Sequence, residues 1–167
     1  MKRLFITLIS MLLLAGILSG CSATVPKPKV KHGEFKFAVT YEFNGETKTV
    51  SGVYECEYNG TYWTLDGGHH RDWKGQIKGE SFEDVIDIGT TSDGYPVDLN
   101  LCLHAEYFMG ENVDGYRTVI PYISIRIENE EGLSFLNDPK DVEDYCGARI
   151  ISYEYDEPIE NSFSLFN

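Results

Sequence analysis

Two tryptophans bracket the stretch of this chain richest in groups that do chemistry. Between Trp63 and Trp73 runs Asp66-Gly67-Gly68-His69-His70-Arg71-Asp72, a glycine-hinged loop with two imidazoles and two carboxylates. Imidazoles exchange protons near neutral pH and ligate metals. Zinc, however, wants three or four spaced ligands, as in His-Glu-x-x-His, and that spacing is absent, so a solvated polar loop is the plainer reading. Together with Tyr62, the indoles offer a platform for sugars or a cationic peptide, against which stands the ordinary half-burial of aromatic rings on strands. Trp63, His69, His70 and Trp73 are therefore the candidate ligand-binding residues.

Cys102-x-His104 places two more ligand types on one expected strand face, and Cys56 or Cys146 would complete a zinc set. A disulfide and a surface histidine account for the same residues. The acids at Asp138, Asp141, Glu143 and Asp144 depart from the Asp-x-Asp-x-Asp-Gly calcium loop and read as charges at a helix N-terminus. No metal ligand set and no cofactor is assigned. Catalytic signatures are also missing: there is no Gly-x-Ser-x-Gly elbow, Ser-x-x-Lys, phosphate-cradling glycine loop or Cys-His signature. With 27 acids, carboxylate pairs arise by chance. The chain reads as a binding module rather than an enzyme, with a metal carrier or metal-dependent enzyme as the alternative.

The elements that must position these residues are mostly strands. From Glu34 to Phe43 the chain alternates, with Phe35, Phe37, Val39, Tyr41 and Phe43 on one face. Asn44-Gly45 supplies the positive backbone angles of a type I′ turn, so Glu46 to Tyr58 returns as its partner. A second turn at Asn59-Gly60 then leads to a third strand over Thr61 to Leu65. Further strands are expected at Phe82 to Ile88, Tyr95 to Tyr107, Tyr116 to Glu128 and Ala148 to Tyr155. Asp138-Pro139, with Gly147 as a stop, predicts one short helix. The fold class is mainly β: an antiparallel β-sandwich or rolled sheet with one short helix over an edge or open end.

The N-terminus has a different composition. Lys2 and Arg3 precede an apolar run from Leu4 to Leu18 that is shorter than the roughly 20 residues a spanning helix needs. Leu18-Ser19-Gly20-Cys21 follows, and this stretch resembles the lipobox of bacterial lipoprotein precursors. The resemblance covers the signal alone. It implies a signal peptide over residues 1–20 and a diacylglyceryl group on Cys21, which becomes the mature N-terminus. Two acyl chains, at about 0.8 kcal/mol per buried methylene, hold a protein on a membrane where one chain is marginal. In general composition the chain is similar to small Gram-positive-type surface lipoproteins, from which no functional residue carries over.

Residues 21–33 form the lipidated N-terminus and a Pro/Lys tether; residues 34–167 form a single acidic body. Extended Pro-Lys-Pro-Lys chain rises about 3.1 Å per residue, so a free tether would hold the body on the order of 35 Å from the lipid. Five of the 14 Lys and Arg lie at Lys31 or earlier, leaving nine against 27 acids and a body charge of −18. Such a body is no nucleic-acid binder, because phosphate contacts need a concentrated cationic face. The expected partners are the membrane, through the lipid anchor on its extracytoplasmic face, and a cationic protein or peptide or a wall glycan. With Cys21 acylated, Cys56, Cys102 and Cys146 remain, so at most one bridge forms. Strand patterning at Cys56 and Cys102 favours that pair, against the alternative of three buried thiols.

Overall fold

In the computed structural model, which describes residues 25–65, 68–79, 84–111, 120–129 and 132–165, the alternation opening the body becomes a strand. Phe35, Phe37, Val39, Tyr41 and Phe43 are all buried on β2 (His32–Phe43). Asn44 and Gly45 take positive φ, 54° and 76°, and send the chain back as β3 (Glu46–Trp63). Beside β3 lies β4 (His69–Ile77), and on the other side of β2 lies β9 (Arg149–Tyr155), giving one antiparallel sheet in the order β4-β3-β2-β9.

A second antiparallel sheet, β5-β6-β7-β8, is built from β5 (Val85–Thr90), β6 (Pro96–Asn100), β7 (Tyr122–Asn129) and β8 (Gly132–Leu136). Val97 and Leu99 of β6 and Ile123 and Ile125 of β7 join the β2 aromatics in one buried cluster. The protein is mainly β, a sandwich of two antiparallel sheets that share this apolar interior, the solution available to sheets with one apolar face each.

The expected helix forms as α2 (Pro139–Cys146). Asp138 Oδ1 accepts hydrogen bonds from the backbone N–H groups of Lys140 and Asp141, at 3.0 and 3.2 Å, and Gly147 ends the helix at φ 69°. A single turn, α1 (Ala105–Phe108), forms where strand was expected to run on to Tyr107. The strand stops at Asn100 because the chain leaves the sheet there. Cys102 adopts φ 54°, and two hydroxyls of the facing sheet take up the freed carbonyls: Tyr155 donates to Leu101 at 2.8 Å and Tyr54 to Leu103 at 2.9 Å. Burial pushes both tyrosines well above their ordinary pKa.

Two more expectations are corrected. Asn59-Gly60 is not a turn; β3 continues through it with a bulge between Tyr58 and Gly60, and the third strand of the meander is β4 rather than Thr61–Leu65. Nor do residues 25–33 form a free tether. Lys27–Pro28 is a short strand, β1, antiparallel to β10 (Phe163–Ser164) near the other end of the chain, and Pro28 is fully buried. The Lys29 N–H donates to the Ser162 carbonyl at 2.8 Å. Asn161 grips Val30 from both sides, Oδ1 accepting from its N–H at 3.0 Å and Nδ2 donating to its carbonyl at 2.9 Å. The body therefore begins near Val25, and the 35 Å stand-off does not apply. Signal residues 1–20 and Cys21 lie outside the described residues.

Candidate functional site

The β3–β4 hairpin carries the sequence candidates, and register decides where each goes. Trp63 pairs with His69, Tyr62 with His70, Thr61 with Arg71 and Tyr58 with Trp73. Successive residues on a strand point to opposite faces, so His69 and His70 cannot serve one site. The bulge puts one extra residue on β3, which shifts Trp63, rather than Tyr62, to the side of the ribbon that Tyr54 and Cys56 occupy further back.

Each histidine stacks on its own aromatic partner. Trp63 and His69 lie 4.4 Å apart between ring centroids and only 13° from parallel; Tyr62 and His70 lie 5.6 Å apart at 28°. His69 Nε2 is also 3.1 Å from Thr61 Oγ1. Trp63 stays 61% exposed on the hairpin end, whereas Trp73 is 7% exposed, packed edge-on against Tyr58 with ring centroids 5.4 Å apart. Trp63, His69, His70 and Trp73 thus do not line one pocket: Trp73 is core, and the other three divide between two faces.

What the sequence did not reveal is a polar cluster at the base of this hairpin. Trp73 Nε1 donates to Glu111 Oε2 at 2.6 Å, and Arg71 Nε lies 2.9 Å from Glu111 Oε1, an ion pair without the alignment of a hydrogen bond. Arg71 Nη1 donates to the Pro26 carbonyl at 3.0 Å, and its guanidinium sits 4.1 Å over the Phe163 ring. Arg71 thereby ties the hairpin, the N-terminal strand and the C-terminal strand together. It is a structural clamp, and only the chance proximity of Pro26 and Phe163 in the fold gives it that role.

The cysteines correct another expectation. Cys56, Cys102 and Cys146 are free thiols, so the Cys56–Cys102 bridge is not formed. Cys56 is sealed in the core, and burial, with the Glu106 carboxylate adding to it, pushes its thiol up to about 12. Cys102 leaves β6 in the turn that precedes α1, within electrostatic reach of Asp84 and of Tyr122 and Tyr155 instead. Among the described residues no group of three or more His, Cys, Asp and Glu is arranged to hold a metal. The acids of α2 act on the helix and its surroundings: Asp138 caps it, and Glu143 lies 3.2 Å from Arg149, whose guanidinium also reaches Glu42 at 2.8 Å.

One concave surface was not singled out by motif. On the outer face of the second sheet, Asp98, Asn100, Ser124 and Arg126 form the floor of a groove of about 530 Å³, with Val85, Tyr122, Leu133 and Phe135 along its rim. Asn100 Nδ2 donates to Ser124 Oγ at 3.0 Å, and Arg126 Nη2 lies 3.5 Å from Asp98 Oδ2. Asp98 and Ser124 are buried although they sit on the polar side of their strands, a fact the alternation of β6 alone does not disclose. In comparison with known proteins, no family model matches the chain, and no curated protein or solved structure is significantly similar to it.

Proposed function

We propose that the protein is a lipid-anchored, extracytoplasmic binding module that presents an acidic end away from the membrane and captures a cationic protein or peptide. The observation that carries this reading is the strapping of Lys27–Lys31 along one end of the sandwich, beside Tyr58 and Arg71. A lipid on Cys21 would pull on that end. The opposite end holds the Asn44-Gly45 turn and α2, where Glu42 and Glu143 pair with Arg149, Asp93 accepts from the Tyr145 hydroxyl, and α2 adds Asp141 and Asp144. Lysines stay near the anionic leaflet, where each is attracted by about 1 kcal/mol, while residues 34–167, with a net charge of −18, are repelled from it.

The test uses the mature lipidated protein in zwitterionic vesicles with polylysine as the probe. Replacing Asp141, Glu143 and Asp144 by their amides is expected to weaken binding by about tenfold, and the same change at Glu154, Glu157 and Glu160 by less than about twofold; binding should fall steeply with salt. Equal losses in the two triple variants would reduce the effect to net charge and end the reading. The groove on the second sheet supports a second reading, a wall-glycan site, because a floor offering both donors and acceptors beneath an aromatic rim suits a sugar ring. Retention on purified wall polysaccharide that survives amidation of α2 and is lost in Phe135→Ala would favour it.

A further inference from the structure

Three exposed apolar side chains follow closely on one another at the end of the β3–β4 hairpin. Tyr62 is 48% exposed, Trp63 61%, and Leu65 has no cover at all. The three lie together at one end of the hairpin, whereas Trp73, ten residues on, is core.

The course of the N-terminal segment gives this hairpin end an address. The Tyr58 N–H donates to the Lys31 carbonyl at 2.8 Å, while the Pro26 carbonyl accepts from Arg71, which is paired with Thr61. Traced toward the N-terminus, the chain therefore advances along the hairpin in the direction of Trp63. From Val25 four residues remain to Cys21, a reach of at most about 14 Å. Trp63 and His69 lie two strand residues beyond Thr61 and Arg71, roughly 7 Å further on, and Leu65 lies beyond them. A lipid on Cys21 would therefore be attached no more than about 14 Å from Val25.

We propose that the hairpin end enters the interface of the bilayer that carries the Cys21 lipid end-on, with Trp63 on one face of the ribbon, Tyr62 on the other and Leu65 beyond both, as a second membrane contact; this rests on the lipid-anchor reading above. The chemistry fits that occupant. Tryptophan and tyrosine favour the boundary between headgroup and hydrocarbon, where one part of the ring is dry and the polar atom wet. Exposed Lys27 and Lys29 flank the site and favour an anionic leaflet. The nearby acids are already engaged, Glu111 by Arg71 and Trp73, and Asp72 by Asn59. Glu57, on β3 opposite His32, is set back from the end. Asp66 and Gly67 lie outside the described residues. With the lipid as one point of attachment and the hairpin as another, the body is held in one orientation rather than swinging from a leash.

The experiment uses the mature lipidated protein in phosphatidylglycerol-containing vesicles whose acyl chains carry bromine near the headgroup. Trp63 emission is expected to shift to the blue and lose most of its intensity, while the emission left in Trp63→Phe, which comes from the core residue Trp73, is not quenched. Leu65→Asp should restore Trp63 emission without loss of protein from the floating vesicle fraction. Protein that floats with unquenched Trp63 overturns the proposal, and crosslinking of position 63 to a second copy in that sample would show what covers the hairpin instead. Protein that fails to float and carries no acyl mass on Cys21 overturns the anchor reading and this proposal together, so the two failures are distinguishable.

Discussion

Cys56 shows how little a residue's strand pattern says about its chemistry. Its place on the alternating face of β3 was legible, because Tyr54 and Cys56 share a parity, and both are buried. Its pairing was not, since Cys102 leaves the strand that its neighbours' alternation implied. A thiol pushed up to about 12 by burial yields almost no thiolate near neutral pH, and the thiolate is the reactive form. Unreduced protein, alkylated after denaturation, is expected to take three labels on Cys56, Cys102 and Cys146, whereas native protein at pH 8 should leave Cys56 unlabelled. A single label, with a mass two hydrogens short, would restore the disulfide; prompt native labelling of Cys56 would contradict its burial.

Elements differ in how far their signals reach. α2 was readable from end to end because its N-cap, N-terminal proline and C-terminal glycine are local signals within ten residues. The β1–β10 pair was unreadable for the opposite reason: two residues at each end of the chain meet only after the body has folded, and Asn161 completes the join from 131 positions away. Asn161→Ala removes the Val30 bonds and a third to the Met109 carbonyl at 3.1 Å. The expected cost is about 1–3 kcal/mol, the range for breaking side-chain bonds to backbone groups. Limited trypsin digestion should then cut after Lys29 and Lys31 well before the body is degraded. An unchanged cleavage rate would mean that the strap is held by other contacts.

For the whole molecule, the two sheets are joined by buried groups that are neutral at physiological pH, and this sets a direction for its pH response. The ordinary values are 9.0 for Cys56 and 10.0 for Tyr54 and Tyr155, and burial raises all three in the folded protein. Below those ordinary values both states are protonated and the stability is complete. Above them the unfolded chain releases protons that the folded protein still holds, so stability falls as pH rises toward the folded values. Melting temperature is expected to stay level up to about pH 8.5 and to drop steadily above about pH 9.5. A level melting temperature through pH 11 would show that these groups ionise as easily inside the fold as outside it.

The sequence by itself determined the elements whose causes are local: the buried face of β2, the Asn44-Gly45 turn, α2, and the antiparallel β class that follows from short alternating strands. It also singled out Trp63, His69, His70 and Trp73, but it put the histidines in a loop, and only the structure placed them on β4, paired with β3. Only the tertiary structure decided that one indole is core and the other exposed: the β3 bulge turns Trp63 to the side of Tyr54 and Cys56, but at the hairpin end, beyond the buried cluster that covers Trp73. The same holds for the N-terminal strap, for the strand that ends at Asn100, and for the polar floor of the second sheet. Each depends on partners brought together from distant parts of the chain, and a hydrogen bond across 131 residues leaves no periodicity in the sequence to be read.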